Sequence, residues 1–154
     1  MRFSAFVVVF GLLLAGSVKG GERVWAATHQ PPQLDKTGEL GLPPGPVVVN
    51  AWASWCDACQ DEAATYAGFE LAHPGLTIVG IDNDQNAAVG AWTAARWGWH
   101  HRNVWDPDYR ITERLHTEGL PTTWVLNGKH QIVAQRLGEV TSAWLEQAVR
   151  KAEA

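Results

Sequence analysis

Two cysteines, Cys56 and Cys59, stand three residues apart in "AWASWCDACQDE" (residues 51–62), and the chain has no others. That spacing constrains the chain more than any other feature. A disulfide stabilises by closing a loop in the unfolded chain, and the gain grows with loop size. A bridge between Cys56 and Cys59 closes almost nothing, so it is a poor structural staple. A structural zinc site needs about four ligands, and there is no second cysteine pair. The histidines (His29, His73, His100, His101, His116 and His130) lack ligand spacing except for the adjacent His100 and His101. Adjacent side chains rarely converge on one ion, so no metal is expected. A redox dithiol remains.

The flanking residues support that reading. "GPVVVNAWAS" (45–54) sets a β-branched run behind Pro46, the pattern of a buried strand. "QDEAATYAGFELA" (60–72) is rich in helix formers, with Ala63, Tyr66, Ala67, Glu70 and Leu71 at three- and four-residue steps. The cysteines thus fall where a strand ends and a helix begins. Exposed amides and the dipole at a helix N-terminus favour an anion there. A thiolate is the species that attacks a disulfide. Cys56, at the outer end, is the expected nucleophile. Cys59, a turn inside, is expected to attack Cys56 once a mixed disulfide has formed.

Composition bounds the rest. The chain has 154 residues, 46% of them hydrophobic, nine tryptophans and a net charge of −4. One globular domain is expected, and nothing points to nucleic acid. Residues 1–26 read as a signal peptide: Arg2, an apolar run over residues 3–15, then small residues. Cleavage fits after Ala26, with Ser17 as a second site. The apolar run is short of the about 20 residues that span a bilayer, and an uncleaved anchor is the alternative. "LLAGS" has serine where a lipoprotein signal needs cysteine. Residues 27–154 are the expected domain, periplasmic or otherwise extracytoplasmic. Cleavage after Ala26 would remove Arg2, Lys19, Arg23 and Glu22, leaving an acidic domain of net charge −6.

Strand and helix patterns then alternate. "GLTIVGID" (75–82) predicts a strand. Residues 85–98 predict a helix with Ala88, Ala91, Trp92 and Ala95 on one face. "RNVW" predicts a short strand and "DYRITERLH" a short helix. "LPTTWVLN" (120–127) predicts a strand ended by the hairpin signal Asn127-Gly128, and "QIVAQRLG" pairs back. A last helix, capped by Thr141 or Ser142, has Trp144, Leu145, Ala148 and Val149 as its apolar face. Trp92, Trp97, Trp99 and Trp105 are expected to pack in the core, against the alternative of a docking surface. "DNDQNA" (82–87) begins like a calcium loop but lacks the required glycine and glutamate, and reads as a turn into a helix. "WDPDY" reads as a turn and cap. The order predicts an α/β layer fold.

"NAWASWCDACQDE" and "GLPTTWVLNGKHQIVAQRLGE", in this order, resemble the TlpA/ResA-like branch of the thioredoxin superfamily over residues 32–150. The resemblance implies a thioredoxin-like fold: a central mixed β-sheet flanked by helices, with an N-terminal β-hairpin extension in "QLDKTGELGLPPGPVVVN". It implies a cis bond before Pro121, and a loop that faces the dithiol and pairs the backbone of Leu120 with an extended substrate. Trp55 is expected beside the dithiol, against the alternative of a core tryptophan. Glu62 matches an acidic residue near the dithiol. It is expected to take the proton of Cys59, or to disfavour thiolates by like charge, against the alternative of a solvated glutamate. Asn50 occupies the position of the buried aspartate of classical thioredoxin, so that acid is missing here.

Two departures from the branch stand out. Ala58 replaces a proline, and Asp57 sits between the cysteines. A negative charge beside Cys56 opposes its ionisation, which destabilises the reduced form and makes the couple more reducing. The resemblance therefore points to a thiol:disulfide oxidoreductase working as a reductase on disulfide-containing exported proteins, apocytochrome c being one such class. A membrane thiol donor would supply electrons, because no flavin or nucleotide motif is present and no cofactor is expected. A disulfide-donating oxidase, or a non-catalytic binding or metal-handling module, are the alternatives. A peroxiredoxin is disfavoured, since no separate peroxidatic cysteine remains.

Overall fold

The computed structural model describes Leu34, Gly38 and residues 40–154. The expected signal segment and its cleavage sites lie outside the described residues, as does most of the expected leading hairpin. The elements run β1 (Val47–Trp52), α1 (Asp57–Ala72), β2 (Thr77–Asp82), α2 (Ala87–Arg96), β3 (Arg102–Trp105), α3 (Arg110–Arg114), β4 (Thr122–Leu126), β5 (Ile132–Leu137) and α4 (Ser142–Glu153).

The strands form one mixed sheet in the order β3-β2-β1-β4-β5. β1 pairs in parallel with β2, and β2 with β3, each through a connection that contains a helix. β4 runs antiparallel to β1 and turns back into β5. The hairpin loop is longer than a two-residue Asn-Gly turn: Asn127 N–H donates to Gln131 O, and His130 N–H to Asn127 O.

β1 is central and buried throughout. Its alternate residues supply two cores. Val48 and Trp52 join Tyr66 and Phe69 of α1 and Leu145 and Ala148 of α4. Val47, Val49 and Ala51 join Ile81, Trp124 and Leu126 on the opposite face. Each buried valine contributes about 1.5–3 kcal/mol, more than a helix cap or a surface ion pair at about 1 kcal/mol. The sheet therefore fixes where the ends of β1 and β4 lie.

Gly80 makes a close approach possible. A Cβ there would stand 1.8 Å from Asn103 Oδ1 and 2.8 Å from Trp52 Nε1. Those two atoms form a 2.8 Å hydrogen bond over the glycine.

Two helix faces differ from the sequence expectation. α2 turns Gly90, Thr93 and Ala94 inward, whereas Ala88, Ala91, Trp92 and Ala95 face out. The carboxyl group of Asp82 sits where a Cβ on residue 90 would be, 1.9 Å from its Oδ2. Only glycine fits there, and that contact sets the rotation of the helix. In α1 the buried stripe is Cys59, Glu62, Ala63, Tyr66 and Phe69, while Leu71 is 75% exposed. Leu71 lies about 200° around the helix from Phe69.

The tryptophans divide accordingly. Trp97 and Trp99 pack on Trp52 with ring centroids 5.2 and 5.1 Å away. Trp99 also donates to Ala63 O. Trp92 and Trp105 are 60% and 49% exposed, which corrects the expectation that they belong to the core. The guanidinium of Arg96 covers the Trp92 ring at 4.6 Å, and Trp105 Nε1 donates to Asp84 O from the edge strand.

Candidate active site

The turn between β1 and α1 is pinned from beside it. Asp84, just past the end of β2, accepts from Ser54 N–H at 3.0 Å and from Ser54 Oγ at 2.6 Å. Asn83 N–H donates to Trp52 O. The chain then turns so that Cys56 N–H donates to Ala53 O. Cys56 is the extended cap residue of α1, and its sulfur accepts from Cys59 N–H at 3.1 Å.

Cys56 and Cys59 are joined in a disulfide. Cys56 keeps 7% of its surface and Cys59 none. Of the two residues only Cys56 is open to solvent, and it lines a cleft. Trp55, on the rim, is 59% exposed and is not a core tryptophan.

The loop before β4 comes over this end. The Leu120–Pro121 bond is cis. Pro121 O accepts from Gly138 N–H, and Thr122 Oγ1 donates to Gly119 O. A cleft of about 620 Å³ runs between the loop and the dithiol. One wall is Trp55, Cys56, Asp57 and Ala58. The other is Tyr109, Thr112 and Glu113, followed by Thr117 to Leu120. Pro121 is not part of the lining, and Leu120 is.

Behind the dithiol lies a buried polar group. Glu62 is 1% exposed. Its Oε1 accepts from Asn50 Nδ2 at 2.9 Å, and its Oε2 from Val140 N–H at 3.1 Å. Thr123 Oγ1 lies 3.4 Å from Asn50 Nδ2 and 2.7 Å from Tyr66 Oη. Burial pushes the Glu62 carboxyl up to about 7, against the lowering effect of the Val140 N–H and the Asn50 amide. The group can therefore accept or release a proton near neutrality. Burial, and then the charge of Glu62, push the Tyr66 phenol well above its ordinary value. A solvated helix glutamate is excluded for Glu62.

Of the site residues expected from sequence, Trp55, Cys56 and Leu120 share the cleft, with Pro121 next to Leu120. Cys59 and Glu62 lie beneath, on the inner face of α1. No motif in the sequence places the α3 wall or Glu118 at the site. The only local signal was the "WDPDY" turn: Asp106 accepts from Ile111 and Thr112 N–H and starts α3, although Tyr109 is the cap residue.

The chain is similar to known proteins. The thiol:disulfide interchange protein DsbE of Pseudomonas fluorescens biotype C is 30% identical over 111 residues, covering 71% of this chain and 61% of that one. The sporulation thiol-disulfide oxidoreductase A of Bacillus subtilis is 25% identical over 105 residues, covering 65% and 64%. The chain thus spans about six-tenths of the length of these curated relatives. Among solved structures, a secreted thiol-disulfide isomerase from Corynebacterium glutamicum superposes with a TM-score of 0.71 at 22% identity, covering 99% of both chains. A secreted Mycobacterium tuberculosis disulfide oxidoreductase gives 0.65 at 20%, covering 71% of this chain and 84% of that one. These likenesses show a thioredoxin-like fold. The AhpC/TSA family matches residues 34–135, well over half of the chain, and the chain belongs to that family.

Proposed function

We propose that this protein is an extracytoplasmic thiol:disulfide oxidoreductase that reduces disulfides in exported proteins. The observation that carries the reading is the Cys56–Cys59 pair at the start of α1, with one sulfur at the surface of a cleft and the other enclosed.

In the reduced protein the Cys56 thiolate attacks one sulfur of a substrate disulfide, and the other substrate sulfur leaves as a thiolate. The Cys59 thiolate then attacks Cys56, and the second substrate sulfur leaves. Two electrons pass to the substrate, which ends as a dithiol, and the protein ends as the disulfide. Glu62 takes the proton of Cys59 during the second step, and Asn50 positions its carboxylate. The burial of Glu62 and its carboxyl near 7 support this role. Trp55 and Leu120 hold the substrate, and Pro121 shapes the loop that carries Leu120.

A thiol donor at the membrane would restore the dithiol. Apocytochrome c is the substrate that the motif resemblance suggests. Among the described residues no helix is long and apolar enough to cross a membrane. Export is supported by the N-terminal apolar segment, and two structural neighbours are secreted proteins.

Stoichiometry tests the reading. The pre-reduced protein, mixed with a disulfide peptide, should release one pair of substrate thiols per molecule. A Cys56→Ser, Cys59→Ser double variant should release none. Function preserved in that variant would favour a binding module instead.

A further inference from the structure

We infer that Asn83 and Asp84 are positioning residues for the reaction, one for each wall of the cleft beside Cys56. This rests on the reductase reading above and adds to it the pair that holds the attacking sulfur and the facing wall opposite each other. The two residues directly follow β2, which is paired on one side with β1 and on the other with β3. Both are buried. Asp84 serves the Cys56 wall. Its carboxylate accepts from the N–H and the Oγ of Ser54, and its own N–H donates to Asp82 Oδ1 at 3.0 Å. Asn83 serves the other wall. Its Nδ2 donates to Asp106 O at 3.0 Å, and lies 3.3 Å from Asp106 Oδ2 and 3.5 Å from Thr112 Oγ1. Asp106 holds the start of α3, and Thr112 lines the cleft.

Neither wall belongs to the sheet. The ladder of β1 ends at Trp52, before Ser54, Trp55 and Cys56. α3 has five residues, far below the about 12–15 at which a helix holds itself together in water. Each wall therefore takes its place from hydrogen bonds to a rigid neighbour, and the end of β2 is a neighbour common to both. Asn83 Oδ1 is buried and finds no donor among the described residues. An unpaired buried acceptor costs stability, so the residue is explained by what its Nδ2 holds. Asp106 N–H also donates to Asp82 O, so loss of the Asn83 amide loosens the α3 wall without detaching it. The two residues act on different quantities. Asp84 works through Ser54 on the turn that carries the Cys56 sulfur, and so bears on every disulfide. A misplacement of about 1 Å between reacting groups can cost about 100-fold in rate. Asn83 works through α3 on a surface that only a substrate spanning the cleft can touch.

Asp84→Ala and Asn83→Ala separate the two roles. The pre-reduced full chain is mixed in stopped flow with a disulfide peptide long enough to span the cleft, or with the small hydroxyethyl disulfide, and tryptophan fluorescence follows oxidation. Asp84→Ala should slow the reaction with both reagents about tenfold or more. Asp84→Asn, which keeps an acceptor for Ser54, should recover part of that loss. Asn83→Ala should raise the half-saturating peptide concentration about fivefold, and leave the limiting rate and the hydroxyethyl disulfide rate within about twofold of the parent protein. If either alanine variant does not fold, Ser54→Ala, which removes only the Oγ donor, and Asn83→Ser, which withdraws the amide, should show the same division at smaller amplitude. Unchanged kinetics in folded variants, or equal losses on both reagents from both positions, would overturn the proposal while the reductase reading stands. If the parent protein reduces neither reagent, both fail.

Discussion

Cys59→Ser should accumulate mixed disulfides with exported proteins, whereas Cys56→Ser should trap few. The expected effect on turnover is complete in both variants, but the reasons differ. In Cys59→Ser the accessible sulfur at the cap of α1 is intact and can attack. The enclosed sulfur that would release the product is gone, so the reaction stops at the covalent complex. In Cys56→Ser the remaining sulfur is fully buried and meets no partner. Non-reducing gels of periplasmic or extracytoplasmic extracts read the result. Equal trapping by the two variants would reverse the order of attack.

Glu62→Gln should change how stability depends on pH by about 3 kcal/mol. Burial raises this carboxyl from 4.5 to about 7, and each tenfold change in proton affinity corresponds to about 1.4 kcal/mol. Between pH 4.5 and 7 the folded protein keeps a proton that the unfolded chain has lost, so folding stability falls as pH rises through that window. Below 4.5 both states are protonated, and stability is no longer drawn down. The glutamine cannot ionise, so the variant should gain on the parent protein steadily from about pH 4.5 to about 7 and level off above that. Asp82 has the same sign of effect, since burial raises its carboxyl from 3.8 to about 7, and a residual slope should survive in Glu62→Gln. Urea unfolding at several pH values would measure both. A stability difference that does not vary with pH would mean that Glu62 ionises freely in the fold. If Glu62 also serves resolution, breakdown of the mixed disulfide should slow in the variant and lose its pH dependence near 7.

The parts legible in the sequence are those whose signal is local. Val47 to Val49 announce a buried strand, the helix formers after Cys59 announce α1, and Thr141 announces the cap of α4, where its Oγ1 accepts from Trp144 N–H. The rotation of α2 was not legible. It depends on Gly90 meeting Asp82, a contact between two elements that no periodicity reports. The partners of Glu62 come from residues 50 and 140, on either side of it in sequence, and only the assembled sheet and α4 bring them together. The α3 wall of the cleft escaped for the same reason. Glu113 is far from Cys56 along the chain and faces it only because the chain crosses the end of the sheet between β3 and β4.

The central claim is that this dithiol donates electrons. Asp57, exposed at the first position of α1, sets a carboxylate beside Cys56 and opposes negative charge on its sulfur. That weakens the reduced state relative to the disulfide. Equilibrating the purified domain against glutathione measures the balance directly. The expected potential lies nearer thioredoxin, about −270 mV, than the strong oxidant DsbA, about −120 mV. A value above roughly −180 mV, the range of protein disulfide isomerase, would contradict the account and make the protein a disulfide donor.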